Sequence, residues 1–292
     1  MQSRLKGELV RFTTSDNLEL QGILYEPQNK TDKAVIHIHG WTGNFYENVF
    51  IEYIAQACLS KGYAFLSFNT RGAGFVQEFL RKSENTVEYI KIGGSLEKFE
   101  DCLIDIKAAI SFLKIEGFSE FILEGHSTGC QKALYYSHKS NDRGIKGLIF
   151  LEPADDPSII KRILAERYEE AIRYATELVK DGKQNDPMPK WVEFGVNLAA
   201  QKFLSIAISD SIEGKLLHLP GKLEELKHLN YPILVISSDH SEYQDAKCMQ
   251  ERIKETAQYS TARIIPDSGH WFFGHEKEVG KIISVWLRQT HQ

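Results

Sequence analysis

The stretch FILEGHSTG, residues 121–129, is an apolar run that breaks into Gly125-His126-Ser127-Thr128-Gly129, and the QKALYYSHKS that follows it (131–140) repeats its apolar residues at a helical period. Read together, these residues predict a buried strand, a sharp turn and a helix leading away from it. A serine at such a turn is forced into a strained backbone conformation that exposes its hydroxyl above the edge of the sheet. Glycines two residues to either side let strand and helix backbones pass where a Cβ would clash. The pattern G-x-S-x-G thus makes Ser127 a candidate nucleophile.

The rest of the chain sets the context. It has 292 residues, 42% hydrophobic and 26% charged, with a formal net charge of -5, the composition of a globular protein with length for a large core. There is no long basic run, which argues against nucleic acid as a partner. No stretch of 18 apolar residues is present, so no membrane span is expected. The N-terminal MQSRLKGELV is too polar for a secretory signal. Cys58, Cys102, Cys130 and Cys248 form no C-x-x-C and read as reduced thiols of a cytoplasmic protein. No residue pattern fixes the oligomeric state.

Residues 7–26 alternate apolar and polar around Ser15-Asp16-Asn17, predicting an antiparallel hairpin. Short apolar runs then alternate with amphipathic segments. The runs are AVIHIHG (34–40), AFLSFNT (64–70), FILEG (121–125), GLIFLEP (147–153), PILVISS (232–238) and ARIIPDS (262–268). Strand alternating with helix predicts an α/β fold, a mostly parallel twisted sheet with helices on both faces. One interval is too long for a single crossover. Residues 154–229 are therefore expected to be a helical lid inserted into a core made of 1–153 and 230–292. Within it, 158–180 reads as one amphipathic helix, Trp191 to Ile208 as a second and 221–228 as a third.

Acyl transfer needs a nucleophile, a base, an acid orienting the base, and N–H donors for the oxyanion. His270, in PDSGHWFF after the last apolar run, is the candidate base, because its loop is expected at the same sheet edge as Ser127. The backbone N–H groups of Trp41 and Thr128 are the candidate oxyanion donors. The acid should follow PILVISS, where Asp239 and Glu242 are both available and Asp239 is preferred; Asp155 and Asp156, after the preceding run, are outside options. His37 and His39 share a strand face, but GWTGN after them offers no further ligand, so no metal is expected.

With these residues in place, the chain resembles the α/β-hydrolases over essentially its full length. HGWTGN (39–44) is similar to the oxyanion loop of the feruloyl (cinnamoyl) esterase and serine-aminopeptidase-like branch, and Arg71-Gly72-Ala73-Gly74 to the segment after that branch's fourth strand. GHSTGCQ resembles the siderophore-esterase-like proteins, which hydrolyse esters of hydroxamate siderophores. The resemblance implies a Ser-His-acid triad, a helical cap, and neither metal nor organic cofactor. It also implies Gly-x-x-Asp after the seventh strand, where this chain has Ser238 and Ser241 instead.

The resulting expectation is a serine esterase acting on a small-molecule carboxylic ester. A thioesterase or amidase with the same triad, and a non-catalytic binding protein on the same scaffold, are the alternatives. Trp191, Phe194, Phe203 and Leu204 are candidates for the pocket wall or for the lid's own packing. Lys161, Arg162, Glu166 and Arg167 read as a solvated helix face.

Overall fold

The computed structural model describes residues 5–83, 85–192, 197–243 and 245–290. Ten strands are formed: β1 Glu8–Thr13, β2 Glu19–Tyr25, β3 Lys33–Ile38, β4 Ala64–Phe68, β5 Gln77–Lys82, β6 Val87–Ile92, β7 Glu120–His126, β8 Ile145–Leu151, β9 Ile233–Ser238 and β10 Ser260–Ile265. Eight of them make one sheet in the order β1-β2-β4-β3-β7-β8-β9-β10. The hairpin β1–β2 turns at Asn17, whose φ is 67°, and joins the sheet antiparallel to β4. From β4 to β10 all neighbours are parallel. The β5–β6 hairpin stands outside the sheet and was not expected from the sequence.

The helices are α1 Phe50–Leu59, α2 Cys102–Ile115, α3 Thr128–Ser140, α4 Asp156–Leu164, α5 Tyr168–Lys180, α6 Ala200–Ala207, α7 Glu224–Lys227, α8 Ala246–Thr256 and α9 Glu276–Thr290. They cover both faces. Ile54 and Cys58 of α1 and Val279 and Ile283 of α9 bury against Val35, Phe65 and Ile236 on one side. Ile106 and Ile110 of α2, Leu134 of α3 and Ile253 of α8 bury against Ile36, Leu66, Leu123 and Val235 on the other. Strands sandwiched in this way need side chains apolar on both faces, which is why their sequences read as continuous apolar runs. None of the helices among the described residues is long and apolar enough to cross a membrane.

The segment between β8 and β9 has a core of its own: Ile160, Leu164, Ala171, Ala175, Met188, Phe203 and Ile206 pack together, with Trp41 of the main body against them. The single helix expected over 158–180 is two. The chain breaks at Ala165, where φ is 48°, and a 3-10 turn separates α4 from α5. The second expected helix starts only at Ala200.

A buried ionic cluster ties this segment to α3. Lys202 Nζ donates to both carboxylate oxygens of Glu213 at 2.9 Å and to Glu97 Oε1 at 3.2 Å, while Lys132 Nζ of α3 reaches Glu97 Oε2 at 2.8 Å. Burial opposes ionisation of Glu97, but Lys132 and Lys202 outweigh it and hold the carboxyl down at about 2. The approach requires Gly72, because a Cβ there would lie 2.1 Å from the Glu97 carboxylate.

Candidate active site

Parallel pairing brings the C-terminal ends of β7, β8, β9 and β10 side by side. Ser127 follows β7, Glu152 follows β8, Asp239 follows β9, and His270 lies in the loop after β10. Ser127 has φ 55° and ψ -127°, a conformation that side chains rarely adopt. Its N–H donates to Leu151 O at 2.8 Å, and its carbonyl accepts from Cys130 N at 2.9 Å. The two glycines of the motif have no room for a methyl group. A Cβ on Gly125 would meet Gly129 C at 2.3 Å, and one on Gly129 would meet Ile38 O at 2.1 Å.

His270 is 4% exposed. Its carbonyl accepts a hydrogen bond from His126 Nε2 at 3.0 Å, and the ring is boxed by Tyr243, His126 and Trp271 at centroid distances of 4.6, 4.8 and 5.0 Å. Burial, together with the nearby His270, holds His126 well below the usual imidazole range, so it stays neutral. His270 Nδ1 stands 3.5 Å from Glu152 Oε2. Neither atom has a hydrogen-bond partner among the described residues, and the approach is an ion-pair distance rather than a formed hydrogen bond. Glu152 itself is fully buried with φ 49°. Its other oxygen, Oε1, accepts closely from the backbone N–H of Ser238. The residue standing where the resemblance implies glycine thus anchors a carboxylate from the neighbouring strand.

Asp239 and Glu242 lie elsewhere. Asp239 Oδ1 accepts from Ser268 N at 3.4 Å and sits 3.8 Å from His240 Nε2, with the side chain 37% exposed. Glu242 is exposed; its carbonyl accepts from Arg162 Nη2 at 2.8 Å. Neither side chain has a described contact with His270. The geometry therefore corrects the expected placement of a carboxylate after β9: the one beside His270 comes from the end of β8. Position alone explains the difference, since Asp239 turns outward from the strand end whereas Glu152 turns inward. The sequence offered one signal, a lone acidic residue closing the apolar run LIFLE.

Trp41 and Thr128 both line the cavity over Ser127. Thr128 opens α3, so its N–H has no acceptor within the helix. The loop holding Trp41 is fixed from below. His39 Nε2 accepts from Thr70 N at 3.1 Å, which leaves Nδ1 to donate to Gly40 O at 2.8 Å. Burial, reinforced by Lys132, lowers His39 to about 3 and keeps it neutral. Trp41 Nε1 donates to Gly94 O at 2.7 Å. His37 instead pairs with Glu124 inside the sheet. Among the described residues no group of three or more His, Cys, Asp or Glu could hold a metal ion.

The cavity has a volume of about 450 Å³. Ser127, Thr128 and His270 share it with apolar walls from Trp41, Phe75, Ile159, Ile160, Ile163, Ile206 and Trp271. Of the residues weighed for this wall, Phe203 and Leu204 pack into the core of the inserted segment. Trp191 packs there as well, under the Arg167 guanidinium at 3.6 Å. Phe194 lies outside the described residues. Lys161, Arg162, Glu166 and Arg167 are exposed.

Comparison with solved structures bears on the fold. A structure of Est1E from Butyrivibrio proteoclasticus with ferulic acid bound superposes with a TM-score of 0.67 at 18% identity, covering 96% of this chain and 99% of that one. The Pyrococcus furiosus esterase Pf2001 gives 0.61 at 18%, over 97% and 91%. The α/β hydrolase GrgF from Penicillium sp. sh18 gives 0.69 at 15%, over 98% and 99%. At such identities the likeness is one of fold, and that fold is the α/β-hydrolase fold expected from the sequence. A comparison with curated protein sequences finds no match. A family model matches residues 1–279, and the chain belongs to that family, described as protein of unknown function (DUF1749).

Proposed function

We propose that the protein is a serine hydrolase that cleaves a carboxylic ester of a small molecule through an acyl-enzyme. The observation that carries this reading is the shared cavity: a strained Ser127 and a His270 backed by buried Glu152 open onto one largely apolar chamber. With Nδ1 turned to Glu152, His270 keeps Nε2 for the serine. Ser127 Oγ attacks the acyl carbon as His270 takes its proton, and the carbonyl electrons move to an oxyanion facing the Trp41 and Thr128 amides. Collapse breaks the ester C–O bond, and His270 returns the proton to the leaving alcohol. Water, deprotonated by His270, then cleaves the acyl-enzyme and releases the acid and free Ser127.

Glu152 is the orienting acid in this mechanism, in place of Asp239. Its presence beside His270 supplies the carboxylate that Ser241 lacks. The segment 154–229 acts as the lid, closing the chamber through Ile159, Ile160, Ile163 and Ile206. Ester hydrolases of this fold support the reaction class, since Est1E and Pf2001 are named as such or bind an aromatic acid. The test is Ser127→Ala. Turnover of short 4-nitrophenyl esters should fall by about 10⁴-fold or more, with the unfolding curve unchanged in shape. A variant that keeps wild-type rates defeats the reading.

A further inference from the structure

The chamber over Ser127 is apolar except at a few points, and one polar group there is unused by the mechanism. Asp156, at the start of α4, is part-buried and borders the chamber. Gln131 Nε2, from α3, donates to Asp156 Oδ2 and to Ala154 O, each at 2.9 Å. Gln131 is completely buried, and its Oε1 has no partner among the described residues. The amide thus braces the carboxyl from behind.

The charges facing Asp156 do not neutralise an anion there. Glu213 and Asp155 are negative, and Lys202 is already engaged by Glu213 and Glu97. Asp155 caps α4 and also accepts from His218 Nδ1 at 2.8 Å and Leu219 N at 3.0 Å. Burial first, then Glu213 and Asp155, outweigh Lys202 and push the Asp156 carboxyl up to about 8. It is therefore protonated at neutral pH. Oδ2 accepts from Gln131, and Oδ1 bonds no described residue.

The chamber also has a direction. His270 must protonate the leaving alcohol, so that group sits by His270, whose ring contacts those of Tyr243 and Trp271. Asp156 instead meets Gln131 of α3 and has no described contact with His270.

We propose that Asp156, braced by Gln131, is a specificity-determining residue that donates a hydrogen bond to a neutral acceptor oxygen on an otherwise apolar acyl chain. The inference rests on the chamber being an ester-hydrolase site, and it assigns the substrate class: an oxygenated aliphatic acyl ester, with the oxygen a few carbons from the scissile carbonyl.

The test compares 4-nitrophenyl hexanoate and octanoate with analogues carrying a keto group on the fourth to seventh carbon. The wild type should favour at least one keto ester by about tenfold or more in kcat/KM, since a plain chain leaves the donor unmet. Asp156→Leu should erase that ratio, and Asp156→Asn, which keeps an N–H donor, should restore part of it. In the wild type the ratio should decline as pH rises through about 8, and in Asp156→Asn it should not. Taking the ratio cancels any effect of pH that the two esters share. If Asp156→Leu does not fold, the pH dependence in the wild type against Asp156→Asn decides. Equal rates for plain and keto esters throughout, or a preference that survives Asp156→Leu, overturn the inference and leave the hydrolase reading standing. Absence of all ester turnover, with Ser127 unlabelled by a fluorophosphonate, overturns the hydrolase reading and this inference together.

Discussion

Two histidine–glutamate pairs are buried in this sheet, and they differ in what lies beyond the imidazole. His37 and Glu124 are register partners within β3 and β7, both fully enclosed, with Nδ1 closely paired to Oε2. Phe50 and Phe65 approach the His37 ring at centroid distances of 6.2 and 6.3 Å, and its Nε2 meets no polar partner among the described residues. His270 and Glu152 are just as buried, yet they sit past the strand ends and His270 borders the chamber that holds Ser127. A carboxylate-backed imidazole is therefore not a site in itself. What distinguishes the second pair is a cavity, which His270 borders together with Ser127.

The comparison is broken most severely by exchanging acid for amide in each pair. Glu152→Gln should lower kcat for an activated ester by about 10³- to 10⁴-fold, because the imidazole loses the partner that sets its tautomer and stabilises its cation. Glu124→Gln should change kcat by no more than a few-fold. Steady-state rates on one 4-nitrophenyl ester read both. If the two variants lost activity alike, access to the chamber would not be the difference that matters.

Stability should rank the pairs the other way. Removing one member of a pair sealed in the core leaves its partner without compensation, typically costing about 3 kcal/mol or more. Glu124→Ala should move the urea midpoint by an amount of that order. Glu152→Ala leaves His270 beside a cavity and should cost less. Urea unfolding of the two variants in parallel checks the order.

How far the residues alone carried this picture depends on where each one's signal lies. The sheet was legible, since strands buried on both faces spell apolar runs and Ser15-Asp16-Asn17 spells a turn. Ser127 was legible because the turn needs glycines at both 125 and 129, and backbone contacts at 2.3 and 2.1 Å enforce them. The place of Glu152 beside His270 was not, because it depends on a left-handed φ of 49° and on the Ser238 amide of the next strand, neither of which has a local pattern. The β5–β6 hairpin escaped because much of it faces water: Val87 and Tyr89 are exposed, so no buried stripe marks it. The break at Ala165 falls in a sequence with good helical periodicity. Tertiary packing of α4 and α5 around a separate core overrides that propensity.

A third carboxyl sharpens the contrast, since Asp156, part-buried at the edge of the chamber, bonds neither imidazole nor cation among the described residues. Its unfolded form ionises near the ordinary value of 3.8, and its folded form at about 8. Between those values the unfolded chain has released a proton that the folded one retains. Folding is thus favoured by this group below about pH 4 and progressively disfavoured as pH rises to about 8. Asp156→Asn removes the titration. Its melting temperature relative to wild type should therefore climb from pH 4 to pH 8, by several degrees over the window, as followed by circular dichroism. A constant difference across that range would show that the site ionises normally.

The smallest effect is expected at Asp239, and it completes the contrast between carboxylates that turn inward and outward at neighbouring strand ends. Its side chain is more than a third exposed, holds Ser268 N only at 3.4 Å, and has no described contact with His270. Charge at such a position is screened by water, and its loss changes stability by less than about 1 kcal/mol. Asp239→Asn should leave kcat within about threefold of wild type, and Glu242→Gln, which keeps the carbonyl that Arg162 uses, should do the same. Adding Asp239→Asn to Glu152→Gln separates two possibilities. If the double variant has the rate of Glu152→Gln alone, the acid at the end of β8 carries the orienting role by itself. If the rate falls by a further tenfold or more, Asp239 swings inward during turnover and shares the imidazole, and the contrast between the two strand ends dissolves.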